Sequence, residues 1–129
     1  MTNVNIYAIY ILEGGVTLEQ LYPVVIALVF NGTDIFTGIL SAVKNKDIHS
    51  AKLRDGLFKK VGFILTYFLA WLIDNYGKIV GFDITVKLLP VIVTYACITE
   101  LVSILENISK INPDLVPDKL FELFHIKKD

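Results

Sequence analysis

The stretch VGFILTYFLAWLI occupies residues 61–73 and contains no charged side chain. It is the centre of the second of three apolar windows, which lie at about residues 18–43, 61–80 and 84–105. Each window reaches the length of about 20 residues that a helix needs to cross the hydrocarbon core of a bilayer. Within each window the uncharged run is shorter than the ~18 residues of an unambiguous span. The interrupting residues are Asp34, Asp74, Lys87 and Glu100.

These interruptions leave two explanations for the windows. Buried helices of a soluble bundle often carry about 10–14 apolar residues between charges, but such helices also need a broad polar face. Residues 22–30 and 63–73 offer almost no polar side chain for such a face. The pattern therefore favours an all-α integral membrane protein with about three transmembrane helices, each of which tolerates one or two ionisable groups.

The composition agrees with this fold class. The chain has 129 residues, of which 54% are hydrophobic and 19% charged, and its mean hydropathy is +0.61. These values exclude a disordered chain, which needs low hydrophobicity and high net charge. The length predicts one unit over residues 1–129. Cys97 is the single cysteine, which excludes an intrachain disulfide, and the N-terminus lacks the basic region of a cleavable signal peptide.

The basic residues are concentrated in one segment. Residues 1–43 contain no Lys or Arg, whereas residues 44–60 hold six of the 12. This segment joins the first two windows, and short basic segments beside membrane spans mark the cytoplasmic side. Three spans then put the N-terminus outside and the C-terminus in the cytoplasm. The predicted cytoplasmic basic loop consists of Lys44, Lys46, Lys52, Arg54, Lys59 and Lys60.

Short elements flank the windows. Residues 6–12 are apolar and aromatic but too few to span, which predicts an N-terminal segment in the membrane interface. Asp83 is a candidate N-cap for a helix that begins near Ile84, and Pro90 predicts a kink or a later helix start. In the tail, Leu120, Phe121 and Phe124 share one face of a predicted short cytoplasmic amphipathic helix.

Polar residues recur at steps of three and four within the windows, so that they share helix faces. An ionisable residue at mid-membrane normally faces a partner or water, and Asp34 lies about 15 Å below the basic end. One interpretation is that such residues pair between helices and only fix packing. The other is that a three-helix monomer hides too few of them, so that they form the polar face of a homo-oligomer or a pore. The candidate residues are Asn31, Asp34, Thr37, Gly38, Ser41, Asp74, Glu100, Ser103, Glu106 and Asn107.

Other classes of function have little support. His49 and His125 have no second ligand at metal-binding spacing, and the sequence contains no phosphate-binding glycine loop and no nucleophile motif. We therefore predict no enzyme, no metal and no cofactor. The basic segment lacks interleaved aromatic residues apart from Phe58, which argues against nucleic acid as a partner.

Four elements, in order, resemble the bacteriophage holin family that also includes the toxin-secretion holins of clostridia. They are the runs at residues 33–38, 57–60, 99–107 and 116–117. The third run, Thr99-Glu100-Leu101-Val102-Ser103-Ile104-Leu105-Glu106-Asn107, is the most specific, and the likeness covers about residues 30–120.

The resemblance implies a small phage-encoded protein that accumulates in the bacterial cytoplasmic membrane. Such a protein assembles at a set time into lesions that release an endolysin or another cytosolic protein, giving host lysis or toxin release. Its partners would be the lipid bilayer, further copies of itself and, functionally, an endolysin. The alternative is a small multi-pass membrane scaffold or ion-conducting subunit without a lytic role.

Overall fold

A computed structural model describes residues 18–124, and three long helices dominate it. The helices are α1 (Leu18–Lys44), α2 (Ser50–Tyr76), α3 (Leu88–Ile111) and the short α4 (Asp118–Leu123). Two 3₁₀ turns, Gly77–Val80 and Pro113–Leu115, follow α2 and α3. The described part of the chain contains no strand, so the predicted all-α class is confirmed.

The three long helices are suited to lipid rather than to water. Leu18–Lys44, Ser50–Val80 and Leu88–Ile111 are each long and apolar enough to cross a membrane. Only 17–28% of the most apolar window in each is buried inside the protein. Large side chains such as Leu65 and Phe68 point outward, and soluble monomers rarely expose apolar surface on this scale. The outer surface therefore requires a hydrocarbon environment.

The long helices run alternately up and down. At one end, which we call the basic end, Asn45 donates a hydrogen bond to the carbonyl of Lys110 at 3.3 Å. At the opposite end, the side chain of Gln20 donates to Asn75 at 3.2 Å. The end of α1 thus meets the end of α3, while the start of α1 meets the end of α2.

Helix α3 holds the bundle together. It packs most extensively against α1 and also against α2, whereas α1 and α2 contact each other much less. The apolar core lies between the basic end and the opposite end, nearer to the opposite end, and small side chains there allow close helix approach. Its members are Ala27, Tyr67, Ala70, Leu89, Val93 and Ala96.

The second helix begins earlier than the sequence predicts. It starts at Ser50 rather than near residue 61, so most of the predicted basic loop is helical. Only a short turn separates it from α1, closed by bonds from Asp47 N to the Ala42 carbonyl at 2.9 Å and from Lys46 N to the Val43 carbonyl at 3.3 Å. This arrangement is a Schellman motif. Lys46 occupies its left-handed position with φ +53°, where glycine is usual.

The third helix begins later than residue 84, and the prediction of Asp83 as its N-cap is wrong. The helix starts at Leu88, which puts Pro90 in the first turn, where a missing N–H leaves no helical bond unmade. Asp74 on α2 provides the cap instead. Its two carboxylate oxygens accept hydrogen bonds from the backbone N–H groups of Leu88 at 2.7 Å and Leu89 at 2.8 Å. A cap from another helix fixes the α2–α3 connection as well as the start of α3.

The predictions for the two segments that flank the apolar windows have different outcomes. The N-terminal interfacial segment lies outside the described residues. A short helix does form in the tail, at Asp118–Leu123, and Phe121 on it is buried. Val116, just before this helix, is buried too, so the tail packs rather than extends freely.

Candidate functional site: a polar interior

Polar side chains from all three long helices meet inside the half of the bundle nearer the basic end. We call this set the polar interior. Asn31, Thr37, Ser41, Lys60 and Glu100 are buried, and the remaining members are half-buried. The full set is Asn31, Asp34, Thr37, Ser41, Lys60, Glu100, Ser103 and Asn107.

A charged cluster of Asp34, Lys60 and Glu100 forms its centre. The Lys60 ammonium donates to Asp34 Oδ2 at 2.6 Å and also to Glu100 Oε2. Each of the three residues comes from a different helix, so that one side chain on α2 links α1 to α3. The side chains of Lys60 and Asp34 are 7% and 13% exposed and that of Glu100 is 0% exposed. Removing one partner of a buried ion pair of this kind lowers the stability of the folded protein by several kcal/mol.

The three members lie at one depth. Asp34 precedes the end of α1 by ten residues, Lys60 follows the start of α2 by ten, and Glu100 precedes the end of α3 by eleven. At 1.5 Å per residue these separations correspond to about 15 Å from the basic end. This is about half the thickness of a bilayer core of ~30 Å. The cluster therefore sits at mid-membrane if the helices span the bilayer.

An amide on α3 fixes the position of Asp34. Asn107 Nδ2 lies 3.2 Å from Asp34 Oδ1, 3.3 Å from Thr37 Oγ1 and 3.4 Å from the Asp34 carbonyl. Both carboxylate oxygens of Asp34 thus have a donor. Thr37 in turn donates to the Thr33 carbonyl at 2.9 Å, one turn back on its own helix. These contacts join α1 to α3 over two turns.

The charged cluster is separated from the opposite end by a tyrosine. Tyr67 is 2% exposed, and its hydroxyl donates to Asn31 Oδ1 at 3.2 Å. Beyond this bond lie the small core residues Ala27, Ala70 and Ala96. The polar interior ends at this level, and the apolar core begins.

A crevice connects the charged cluster with the basic end. It has a volume of about 380 Å³ and lies between α1 and α2, the two helices that contact each other least. Asp34 and Lys60 are at its inner part, and Lys52 and Asp47, both exposed, are at its outer part. The walls include Gly38, Ser41, Gly56, Ser103, Asn107 and Lys110.

Most of the residues expected to form a polar face are brought together. Asn31, Asp34, Thr37, Gly38 and Ser41 lie on the inner side of α1. Glu100, Ser103 and Asn107 face them from α3. Glu106 is half-buried outside the charged cluster. Asp74 is not part of the polar interior, because it caps α3 near the opposite end.

The expected basic loop needs correction at Lys60. Lys60 is 5% exposed and belongs to the charged cluster, so it does not contribute charge to the surface. The loop interpretation missed it because neighbouring Lys59, which is exposed, made the pair resemble a solvated run. The spacing contained a signal: Lys60, Tyr67 and Asp74 recur every seven residues and share one face of α2. The other basic residues lie at the end of α1, in the turn and on the first turns of α2: Lys44, Lys46, Lys52, Arg54 and Lys59.

A single chain also satisfies more of its polar groups than the sequence predicts. We expected a three-helix monomer to have too little interior for three polar stripes. Instead, Lys60 and Asn107 pair with Asp34 and Glu100 within one chain. Burial of these polar side chains therefore does not by itself require further copies of the chain.

Three spanning helices with an apolar exterior and a polar interior define a multi-pass membrane protein. A comparison of the sequence with known protein families shows which kind of membrane protein it is. The chain belongs to the bacteriophage holin family, whose pattern it matches over residues 9–129. Members of this family are generally not enzymes. No curated protein and no solved structure matches the chain.

Proposed function

We propose that this protein oligomerises in the bacterial cytoplasmic membrane and forms lesions at a timed moment, through which an endolysin or another cytosolic protein leaves the cell. The observation that carries this proposal is the polar interior at mid-membrane depth inside a bundle with an apolar exterior. Membership of the holin family supports it. The described chain represents the closed arrangement, in which polar groups pair with one another.

The physical argument for timing rests on the cost of opening one copy in lipid. Separating α1 from α2 and α3 would expose the charged cluster, and one ionisable group at the bilayer centre costs at least about 2.5–3.5 kcal/mol. That cost falls when several copies open together, because their polar faces can then enclose water. Opening is therefore expected to depend steeply on the number of copies in the membrane, which gives a delay followed by sudden lysis.

The residues proposed to line the water-filled lesion are those that one chain now buries. They include Asn31, Asp34, Thr37, Gly38 and Ser41 on α1, where the crevice already separates this helix from α2. From α3 they include Glu100, Ser103, Glu106 and Asn107. Asp74 is left out, because its carboxylate caps α3.

We further propose that the basic end faces the cytoplasm, with the N-terminus outside and the C-terminus inside. Four residues of the predicted basic loop, Lys44, Lys46, Lys52 and Arg54, lie at this end, and their excess beside two spans favours this orientation. Lys59 is not counted, because it lies one residue before Lys60 and at nearly the same depth. Reporter fusions to each terminus test it. Activity of a periplasmic reporter at the C-terminus would contradict it.

The decisive experiment is inducible expression in bacteria, with and without a co-expressed endolysin, followed by turbidity. We expect an abrupt loss of turbidity after a delay, and only in the culture that contains the endolysin. Steady growth with both proteins in the cell would contradict the proposal and favour a membrane scaffold or an ion-conducting subunit.

Asp34→Ala links this result to the polar interior. The substitution leaves Lys60 paired with Glu100 alone, so the charged cluster loses its excess negative charge. We expect the protein to insert at normal levels but the onset of lysis to shift or disappear. Asp55→Ala removes an exposed carboxylate on α2 and is the matched control. An onset in Asp34→Ala equal to that in the control would reduce Asp34 to a packing residue.

A further inference from the structure

The charged cluster does not balance its own charge. It combines two carboxylates with one ammonium group, and the Glu100 side chain is 0% exposed. A buried ionised carboxylate without a full partner is costly, and such groups become neutral where they can. One further positive charge is needed at mid-membrane.

The two carboxylates differ in how well they are satisfied. Asp34 receives a donor on each oxygen, Lys60 on Oδ2 and Asn107 on Oδ1. Glu100 receives Lys60 on Oε2, while its Oε1 is buried and has no hydrogen-bond partner among the described residues. The neutralising charge therefore belongs at Glu100 Oε1.

Within residues 18–124, no second cation is in contact with Glu100. Asp34 faces it from α1, and Lys60 and Tyr67 face it from α2, while Cys97 lies one turn away on α3 itself. Lys59 on α2 is close enough to interact through space but is exposed. Of these groups, only Lys60 carries a positive charge into the cluster.

The crevice reaches the charged cluster from the basic end, at Asp34 and Lys60. It lies between α1 and α2, and its lining also includes Lys52 and Ser41. Toward the opposite end, Tyr67 and the closely packed alanines of the apolar core separate the cluster from solvent. Among the described residues, the crevice is the route by which water can approach the cluster.

We propose that Glu100 is a proton-binding site, which takes up one proton on Oε1 from water that enters the crevice at the basic end. A hydronium ion in the crevice gives a proton to Asp34, which lines the crevice, and becomes water; the proton passes from Asp34 to the neighbouring Glu100, and the net charge of the cluster changes from −1 to 0. Glu100 Oε2 keeps its bond from Lys60 in both forms. This site exists in one closed copy and does not depend on lesion formation.

Infrared spectroscopy of the protein in phospholipid vesicles tests the proton directly. We expect a carbonyl stretching band of a protonated carboxylic acid that shifts in heavy water. The band disappears in Glu100→Gln and persists in Glu106→Gln, the matched control on the same helix. Absence of the band from the unsubstituted protein, or its persistence in Glu100→Gln, would overturn the assignment.

Two further variants show whether loss of the band reflects loss of the proton or failure of the protein to fold. Glu100→Asp keeps a carboxyl group, so we expect it to restore a band at a shifted frequency. Asp34→Asn leaves one carboxylate for one ammonium group, so the cluster is neutral without a proton and we expect the band to disappear there too. The frequency in Glu100→Asp therefore assigns the site, and a band in that variant at the frequency of the unsubstituted protein would place the proton on Asp34. Helix content measured by circular dichroism verifies that each variant has folded.

Thiol labelling of right-side-out and of inverted membrane vesicles tests the route, with Cys97→Ala as the background. Gly38→Cys places a thiol in the crevice wall, where an added Cβ meets only Asn107 Nδ2 at an ordinary 3.5 Å. We expect a membrane-impermeant maleimide to label Gly38→Cys only from the side that labels Lys52→Cys. Ala27→Cys in the apolar core remains unlabelled from both sides. Labelling of Gly38→Cys from neither side, or from both, would refute one-sided access.

Discussion

Lys60→Met is the most informative single substitution in this protein. It removes the ammonium group that joins Asp34 to Glu100 and leaves two carboxylates buried side by side without a cation. Removing one partner of a buried ion pair costs about 3–5 kcal/mol. Because each 1.4 kcal/mol is a factor of ten, the unfolding equilibrium should shift by roughly two to three and a half orders of magnitude.

The assay is reversible unfolding of the purified protein in mixed micelles, with increasing denaturing detergent and helix content as the readout. Lys59→Met is the matched control, since it removes the neighbouring charge from the same helix. Lys59 is exposed and lies 5.8 Å from the ring centroid of Phe63, a contact that contributes at most about 1 kcal/mol. Comparing Lys60→Met with Lys59→Met separates the effect of removing a buried charge from the effect of changing the net charge.

A triple variant completes the test. Combining Lys60→Met with Asp34→Asn and Glu100→Gln removes every charge of the cluster at nearly constant volume. Replacing a whole buried ion cluster with hydrophobic residues of similar volume is often neutral or stabilising, and uncharged amides avoid the larger part of the same desolvation penalty. We therefore expect the triple variant to regain most of the stability that Lys60→Met loses. The reasoning is refuted if Lys60→Met is no less stable than Lys59→Met, or if the triple variant is as unstable as the single one.

Three further predictions use the same unfolding assay. Asp74→Ala removes the cap from two backbone N–H groups and should cost about 0.5–2 kcal/mol. Asp83→Ala should change little, since the ion pair of Asp83 with Lys78, at 3.7 Å, is exposed; equal effects would contradict the cap. Tyr67→Phe leaves the Asn31 side-chain oxygen buried without its donor and should cost about 1–3 kcal/mol, and no change would mean that water replaces the hydroxyl. Lys46→Gly should stabilise the protein by about 1–2 kcal/mol because φ is +53°, while Lys46→Ala, which keeps the strained conformation, should not.

The number and class of the helices were predictable from composition and run length. A window such as residues 61–73 has almost no polar face to turn toward water, which favours lipid as its environment over the interior of a soluble bundle. Helix ends were less predictable. Ser50 begins α2 and Leu88 begins α3, because the basic segment continues the helix and because the cap of α3 comes from Asp74, fourteen residues earlier in the chain.

The polar interior was predictable as stripes but not as a set of pairs. Spacing alone put Asp34 and Glu100 on inward faces, since it fixes the direction of a side chain around its own helix. It could not show that Lys60 reaches both, because the register between helices depends on turn length and packing. For the same reason, the spacing could not exclude Asp74, which shares a face with Lys60 but caps a helix.

The order of residues along the chain determined that this protein is helical, spans a bilayer and carries ionisable groups at mid-depth, because apolar run length and helical periodicity are local properties. Folding in three dimensions decided that a lysine from the basic segment enters the interior and that one oxygen of Glu100 has no hydrogen-bond partner within the part of the chain that the structure describes. Those outcomes depend on which helices touch and at what height, and that information lies in the packing of distant segments.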